Sequence, residues 1–241
     1  MMYSSRWSGR RLGSSILVAC TRAFRTLGEK SWWNHLGETL SYALYVIIHP
    51  LDGFWDLTHE KRGSIAAANV IVVLAVLVEI LRQTLTSFQF VTVNMEYFNA
   101  LVAALSIILP ILLWTAANWG LTTLMDGKGT MRDIYMAVSY ALTPSVLINA
   151  FMIVLSQLIT YDEGSLYWVL AGLSVLWTVW LFLAAMMMIH DYSLTKTILS
   201  SLLTVVGIGV MVFIFVVFFS LISDAAAYFV SLYKEILFRL L

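Results

Sequence analysis

Cysteine is all but missing from this sequence. The single Cys20 excludes an internal disulfide framework and a cysteine-built metal site, and it leaves the redox compartment undetermined. Charge is scarce as well: 12% of the 241 residues are charged, where a soluble globular domain carries about 25%. Basic and acidic residues balance at 14 each, so net charge argues for neither a nucleic-acid partner nor a strongly acidic one, and no nucleic-acid partner is expected. No cleavable leader is expected either. The apolar run 16–20 is interrupted at Thr21-Arg22, short of the roughly 7–15 residues such a leader needs, so the N-terminus is expected to be retained. What is present in excess is apolar surface, at 61% of residues, more than an ordinary core can absorb.

That surface falls in five runs, at approximately 65–87, 98–125, 133–159, 164–190 and 195–222. Each is long enough to cross about 30 Å of hydrocarbon as a helix. The sequence therefore predicts an all-α membrane protein, a five-helix transmembrane bundle. Short punctuated loops make neighbouring helices antiparallel. Lysine and arginine crowd before the first span and recur as Lys128, Arg132 and Lys196 in alternate loops, while loops 88–97 and 160–164 have none. The positive-inside rule then places the N-terminus in the cytoplasm of a multi-pass plasma-membrane protein and the C-terminus outside.

Residues 1–62 read as a basic, interfacial, amphipathic segment, residues 63–222 as the transmembrane domain, and residues 223–241 as a helical tail bending onto the outer surface. In the first segment, Leu12, Ile16, Cys20, Ala23 and Leu27 recur at helical spacing among arginines. A second stripe, Leu36, Leu40, Ala43, Leu44 and Ile47, begins at the pair Trp32-Trp33 and is expected to lie along the membrane.

Polar residues inside the spans are few. Glu79 and Arg82, one turn apart, are expected to pair near the outer interface, as a charge site or as a mutually satisfied pair. Asn69, Asn118, Thr122, Ser139 and Tyr140 fall in the inner half, where they either fix packing through interhelical hydrogen bonds or line a pathway. Ser200, Thr204 and Gly207 form a small-residue stripe for close packing. Two of the three prolines, Pro110 and Pro144, lie within spans and should bend them.

Acidic and histidine residues gather at the inner face from three separate loops: His49, Asp52, Asp56, His59 and Glu60, then Asp126, then His190 and Asp191. Metal binding, helix capping and a docking surface are all open to such a set, but no compact ligand motif appears. The partner-docking candidates are Asp52, Gly53, Trp55, Asp56, His59, Glu60, Asp126, Lys128, His190 and Asp191. No catalytic residue, cofactor or metal is assigned. His190 and Asp191 are adjacent and cannot serve each other as base and orienting group. The run Asp126-Gly127-Lys128-Gly129 lacks the length and the hydroxyl residue of a phosphate loop and reads as a turn.

Two stretches carry a resemblance. His49-Pro50-Leu51-Asp52-Gly53-Phe54-Trp55 precedes the first span, and Asp126-Gly127-Lys128-Gly129-Thr130 leads into Tyr140-Ala141-Leu142-Thr143-Pro144. Over residues 48–222 the chain resembles the Yip-domain membrane proteins, named for interaction with Ypt and Rab GTPases, and in particular their bacterial branch. The resemblance implies five transmembrane helices with a cytoplasmic N-terminal region and action through partners rather than catalysis. The partners implied are the lipid bilayer and other integral membrane proteins, with permease subunits of a carbohydrate ABC transporter as one class. The expected function is a non-enzymatic scaffold or accessory subunit. A small transporter or channel subunit, and a trafficking or GTPase-binding adaptor, are the alternatives.

Overall fold

The computed structural model describes residues 30–91, 98–125 and 127–240, and their regular structure is entirely helical. Two short helices, α1 (Lys30–Ile48) and α2 (Pro50–His59), precede α3 (Ile65–Leu85), α4 (Ala100–Leu124), α5 (Met131–Ala141) and α6 (Thr143–Leu155). A 3₁₀ turn at Tyr161–Glu163 leads into α7 (Gly164–His190), and α8 (Leu194–Leu240) completes the chain. Five stretches are long and apolar enough to cross a membrane: α3, α4, the α5–α6 pair, the 3₁₀ turn with α7, and α8. The molecule is an all-α, multi-pass membrane bundle.

Side chains at the loop ends start these helices. Ser64 caps α3 by accepting the Ala66 N–H at 3.2 Å, and Asn99 caps α4 through Leu101 N at 2.9 Å. Thr130 and Asp133 form a reciprocal capping box at the start of α5, and Thr160 and Glu163 form one on the 3₁₀ turn. Each cap satisfies amide groups for which a lipid surroundings offers no partner.

The third span is broken at Leu142, two residues before Pro144. Proline has no N–H, so the Tyr140 carbonyl loses its donor one turn on. The Thr143 hydroxyl takes that place, donating to Tyr140 O at 2.7 Å. Pro110, by contrast, lies within α4 without interrupting it.

Packing centres on α5, which touches α2, α3, α4 and α7. Its buried face, including Ile134, Ala137, Tyr140 and Ala141, meets Ala67, Ala68 and Ile71 of α3 and Leu181, Ala184 and Ala185 of α7. The alanines let backbones approach closely, which matters where lipid competes equally for apolar side chains. On α4 and α8 the facing residues are instead polar and small: Thr115, Asn118 and Thr122 against Thr197, Ser200 and Thr204, with Gly207 facing Ala117.

Two expectations change. The α1 stripe expected to lie along the membrane turns Leu36, Leu40 and Ala43 to the bundle, with Thr39 and Val46 buried beside them at spacings of three and four. Leu44, rotated about 100° from Ala43, is exposed. The second change concerns the C-terminal segment, because α8 stays helical through residue 222 and on to Leu240 over 47 residues. At 1.5 Å per residue that is about 70 Å, more than twice the hydrocarbon thickness. Beyond residue 208 every described residue of α8 is exposed.

Candidate functional site

Antiparallel packing gathers alternate loops at opposite ends of the bundle. One end, here the basic end, holds α1, α2, the starts of α3, α5 and α8, and the finishes of α4 and α7. His190, expected on the docking surface, is instead its buried centre, only 2% exposed. The Gly129 N–H donates to His190 Nδ1 at 3.3 Å, which assigns the ring proton to Nε2. Nε2 pairs with Asn118 Oδ1 at 2.9 Å, and Asn118 Nδ2 donates to Thr204 Oγ1 at 3.2 Å. One loop and three helices are thereby tied in a single line of hydrogen bonds.

The two glycines of the 127–129 loop are there for space. A Cβ on Gly127 would sit 2.7 Å from Thr122 and 2.9 Å from His190, and one on Gly129 would lie 2.8 Å from the His190 ring. Lys128 between them points outward, 72% exposed, and pairs with Asp191 at 2.8 Å. Asp191 ends α7 in the left-handed conformation, φ 53° and ψ 41°, which short polar side chains tolerate. Tyr192 then turns back to donate its hydroxyl to Met125 O at 2.9 Å, and Lys196 reaches the same carbonyl at 3.1 Å over the Tyr192 ring. Asp126 lies outside the described residues.

The second cluster is α2. Gly53 is buried against Val46, where a Cβ would meet backbone at 3.1 Å, and its carbonyl accepts the Tyr42 hydroxyl at 2.7 Å. Burial, reinforced by the nearby Asp56 carboxylate, pushes the Tyr42 phenol far above its ordinary range, so it remains a donor. Phe54 and Leu57 are buried beneath, against the rest of the core. Facing outward are Asp52, Trp55 and His59, the two rings stacked at 3.7 Å. Asp56 and Glu60 are held by Arg62 at 3.7 and 2.8 Å. The α2 carboxylates and the Lys128–Asp191 pair are therefore two separate systems. Among the described residues no group of three or more His, Cys, Asp or Glu converges as metal ligands.

Tyr140 is the third node. Fully buried, its hydroxyl donates to Thr39 O of α1 at 3.3 Å and accepts the Ser64 N–H at the start of α3 at 3.4 Å. The Tyr140-to-Pro144 motif thus joins three elements while its threonine and proline shape the break. Ser139, equally buried, donates to Tyr135 O of its own helix at 2.8 Å, while Asn69 accepts the Tyr135 hydroxyl at 2.6 Å. Near the opposite end, Arg82 grips both oxygens of Glu79, at 2.8 and 3.0 Å, and Gln83 adds a bond of 2.7 Å. Sequence reading missed Tyr42, Tyr135, Tyr192 and the cap residues Thr130 and Asp133. Only the last pair had a local signal, a hydroxyl residue three positions before a carboxylate at the head of an apolar run.

Neither the curated proteins nor the solved structures compared with this chain include a match. One family model does match, the Yip1 domain, over residues 44–231. The match covers well over half of the chain and takes in α2, the glycine loop, the Tyr140-to-Pro144 motif, the first four spans and most of the fifth. The chain belongs to the Yip1-domain family of membrane proteins.

Proposed function

We propose that this protein is a non-enzymatic scaffold or accessory subunit that holds another integral membrane protein at its basic end. The observation that carries this reading is the outer face of α2. The helix is fixed from below by Phe54, Leu57 and the Tyr42–Gly53 bond, so Asp52, Trp55 and His59 form a preorganised surface. Trp55, 44% exposed and stacked flat on His59, is the kind of rigid aromatic that concentrates binding energy at interfaces. The exposed apolar length of α8 offers such a partner a second contact within the membrane.

The lysines and arginines at the basic end support its placement in the cytoplasm together with the N-terminus, with the C-terminus outside the plasma membrane. Single cysteines at Lys128 and Asp162, in a Cys20→Ser background, test this with an impermeant thiol reagent on intact cells. Labelling at 162 alone is expected, and labelling at 128 alone would reverse the orientation. The resemblance to bacterial relatives makes a carbohydrate ABC-transporter permease the partner class to seek. Purification in mild detergent should return a stoichiometric companion that is lost in Asp52→Lys/Trp55→Ala. A chain that always emerges alone would end this reading.

A small transporter or channel is favoured by one observation. The break at Leu142 adjoins a cavity of about 40 Å³ lined by Glu79, Ser145 and Asn149, and broken spans beside polar groups are a transporter trait. That volume holds about one water, and both Glu79 oxygens are already engaged. Flux in liposomes that disappears in Glu79→Gln would bring the second reading forward.

A further inference from the structure

Between the end of α2 and the start of α5 lies an open cleft of about 500 Å³, separate from the His190 centre. Its walls are Thr58, Lys61, Gly63 and Ser64 on one side and Arg132, Asp133 and Met136 on the other, over an apolar floor that includes Leu57 and Ile65. We propose that this cleft binds the phosphate headgroup of an anionic phospholipid, with Lys61 and Arg132 as its two cationic walls.

Which charges are paired, more than their sum, supports an anion here, since Lys61, Arg62 and Arg132 are balanced by Asp56, Glu60 and Asp133. Asp56 and Glu60 are both held by Arg62, and Asp133, which keeps its charge, has one carboxylate oxygen committed to the Thr130 N–H and hydroxyl at 3.2 and 2.6 Å in the α5 capping box. Among the described residues neither Lys61 nor Arg132 forms an ion pair, and both are exposed. Two cations without an ion-pair partner thus flank one concavity, a guanidinium able to grip two phosphate oxygens and an ammonium acting as a point charge. The first turns of α3 and α5 add the positive ends of two helix dipoles.

Position favours a lipid over a soluble phosphate. The cleft sits where two spans begin, at Ile65 and Met131, which is the headgroup level of the bilayer. Its apolar floor suits a glycerol backbone and the head of an acyl chain better than a free oxyanion.

The test uses the full chain in mild detergent with equal amounts of phosphatidylglycerol and phosphatidylcholine, the retained lipid being counted by native mass spectrometry. The wild type should keep phosphatidylglycerol preferentially, and Lys61→Gln/Arg132→Gln should weaken that retention about 30-fold. Lys234→Gln, at the far end of α8, should change nothing. A second measurement needs no variant: the preference of the wild type should fall as salt rises. Inorganic phosphate, added alone, should raise the melting temperature far less than the lipid does. Equal retention of the two lipids by the wild type, or undiminished phosphatidylglycerol on a folded double variant, would overturn the proposal. Stabilisation by inorganic phosphate matching that by the lipid would overturn the lipid as the source.

Discussion

The two ends of the bundle are held together by different chemistry. At the basic end, side chains from remote loops interlock: Gly129 on His190, His190 on Asn118, Asn118 on Thr204, Tyr192 on Met125, Tyr140 on Thr39 and Ser64. The opposite end has a stacked pair, Phe90 on Tyr167 at 4.7 Å, a small apolar cluster with Met152, the Glu79–Arg82–Gln83 set within α3, and two bonds between spans at the periphery, Ser87 N to Ser156 Oγ at 3.2 Å and Gln157 Nε2 to Leu85 O. Hydrogen bonds through buried groups are directional and costly to leave half made, whereas ring stacking tolerates small displacements. The basic end is accordingly the one that specifies a unique geometry, and it is also the end carrying the exposed α2 face and the phosphate cleft.

The largest expected effect comes from filling space at the basic end. Gly129→Ala drives a methyl into the His190 ring and Ile189, and overpacking of this kind costs about 1–3 kcal/mol. Gly120→Ala is the matched control, since nothing lies within 4 Å of a Cβ there and the residue is in mid-helix. It should leave stability unchanged or raise it by up to about 1 kcal/mol. Thermal unfolding in detergent compares the two, and equal midpoints would erase the distinction between a clasped loop and an open helix face.

Next is the polar line itself. Asn118→Leu leaves the His190 Nε2–H without its acceptor and Thr204 without its donor, in a buried position. The expected loss is about 1–2 kcal/mol, the upper range for interhelical hydrogen bonds in membranes. A double-mutant cycle of Asn118→Leu with Thr204→Val isolates the helix-to-helix part. Independent effects in that cycle would show that the bond between α4 and α8 contributes nothing of its own.

At the opposite end, Phe90→Leu keeps apolar volume and removes the stacked ring. A loss of about 0.5–1.5 kcal/mol is expected. A value well above that of Asn118→Leu would invert the ranking of the two ends.

The sequence was most legible where one property repeats along the chain. Hydropathy marked the five spans, and the spacing of lysine and arginine marked which loops share an end. Pro144 marked the break in the third span, because a missing N–H acts locally. Long-range meeting points were not legible in the same way. His190 and Gly129 are 61 residues apart and only a folded bundle brings them together, so a histidine beside an aspartate read as surface. The glycines of the 127–129 loop read as a turn, and their role in admitting the His190 ring needs the ring's position. The α1 stripe was recognised as amphipathic, but lipid and protein are equally apolar surfaces, and periodicity cannot tell which of them receives it.

The smallest effect should come from the most conspicuous contact. Lys128 and Asp191 form a close ion pair at 2.8 Å, yet the lysine is largely in solvent, and exposed pairs contribute about 0–1 kcal/mol. Lys128→Gln should therefore shift the unfolding midpoint much less than Gly129→Ala one residue away. The charge acts instead on which side of the membrane this loop occupies, through the excess of basic residues at its end. The exchanged variant Lys128→Asp/Asp191→Lys separates the two roles, because it restores a pair while leaving the charge of that end unchanged. It should keep the wild-type labelling at Asp162→Cys, and its stability should fall only by the roughly 1 kcal/mol that a lysine incurs in the left-handed conformation of residue 191. A stability loss in Lys128→Gln as large as that of Gly129→Ala, regained in the exchanged variant, would mean that the basic end is fastened by its surface charges and not by the buried line behind them.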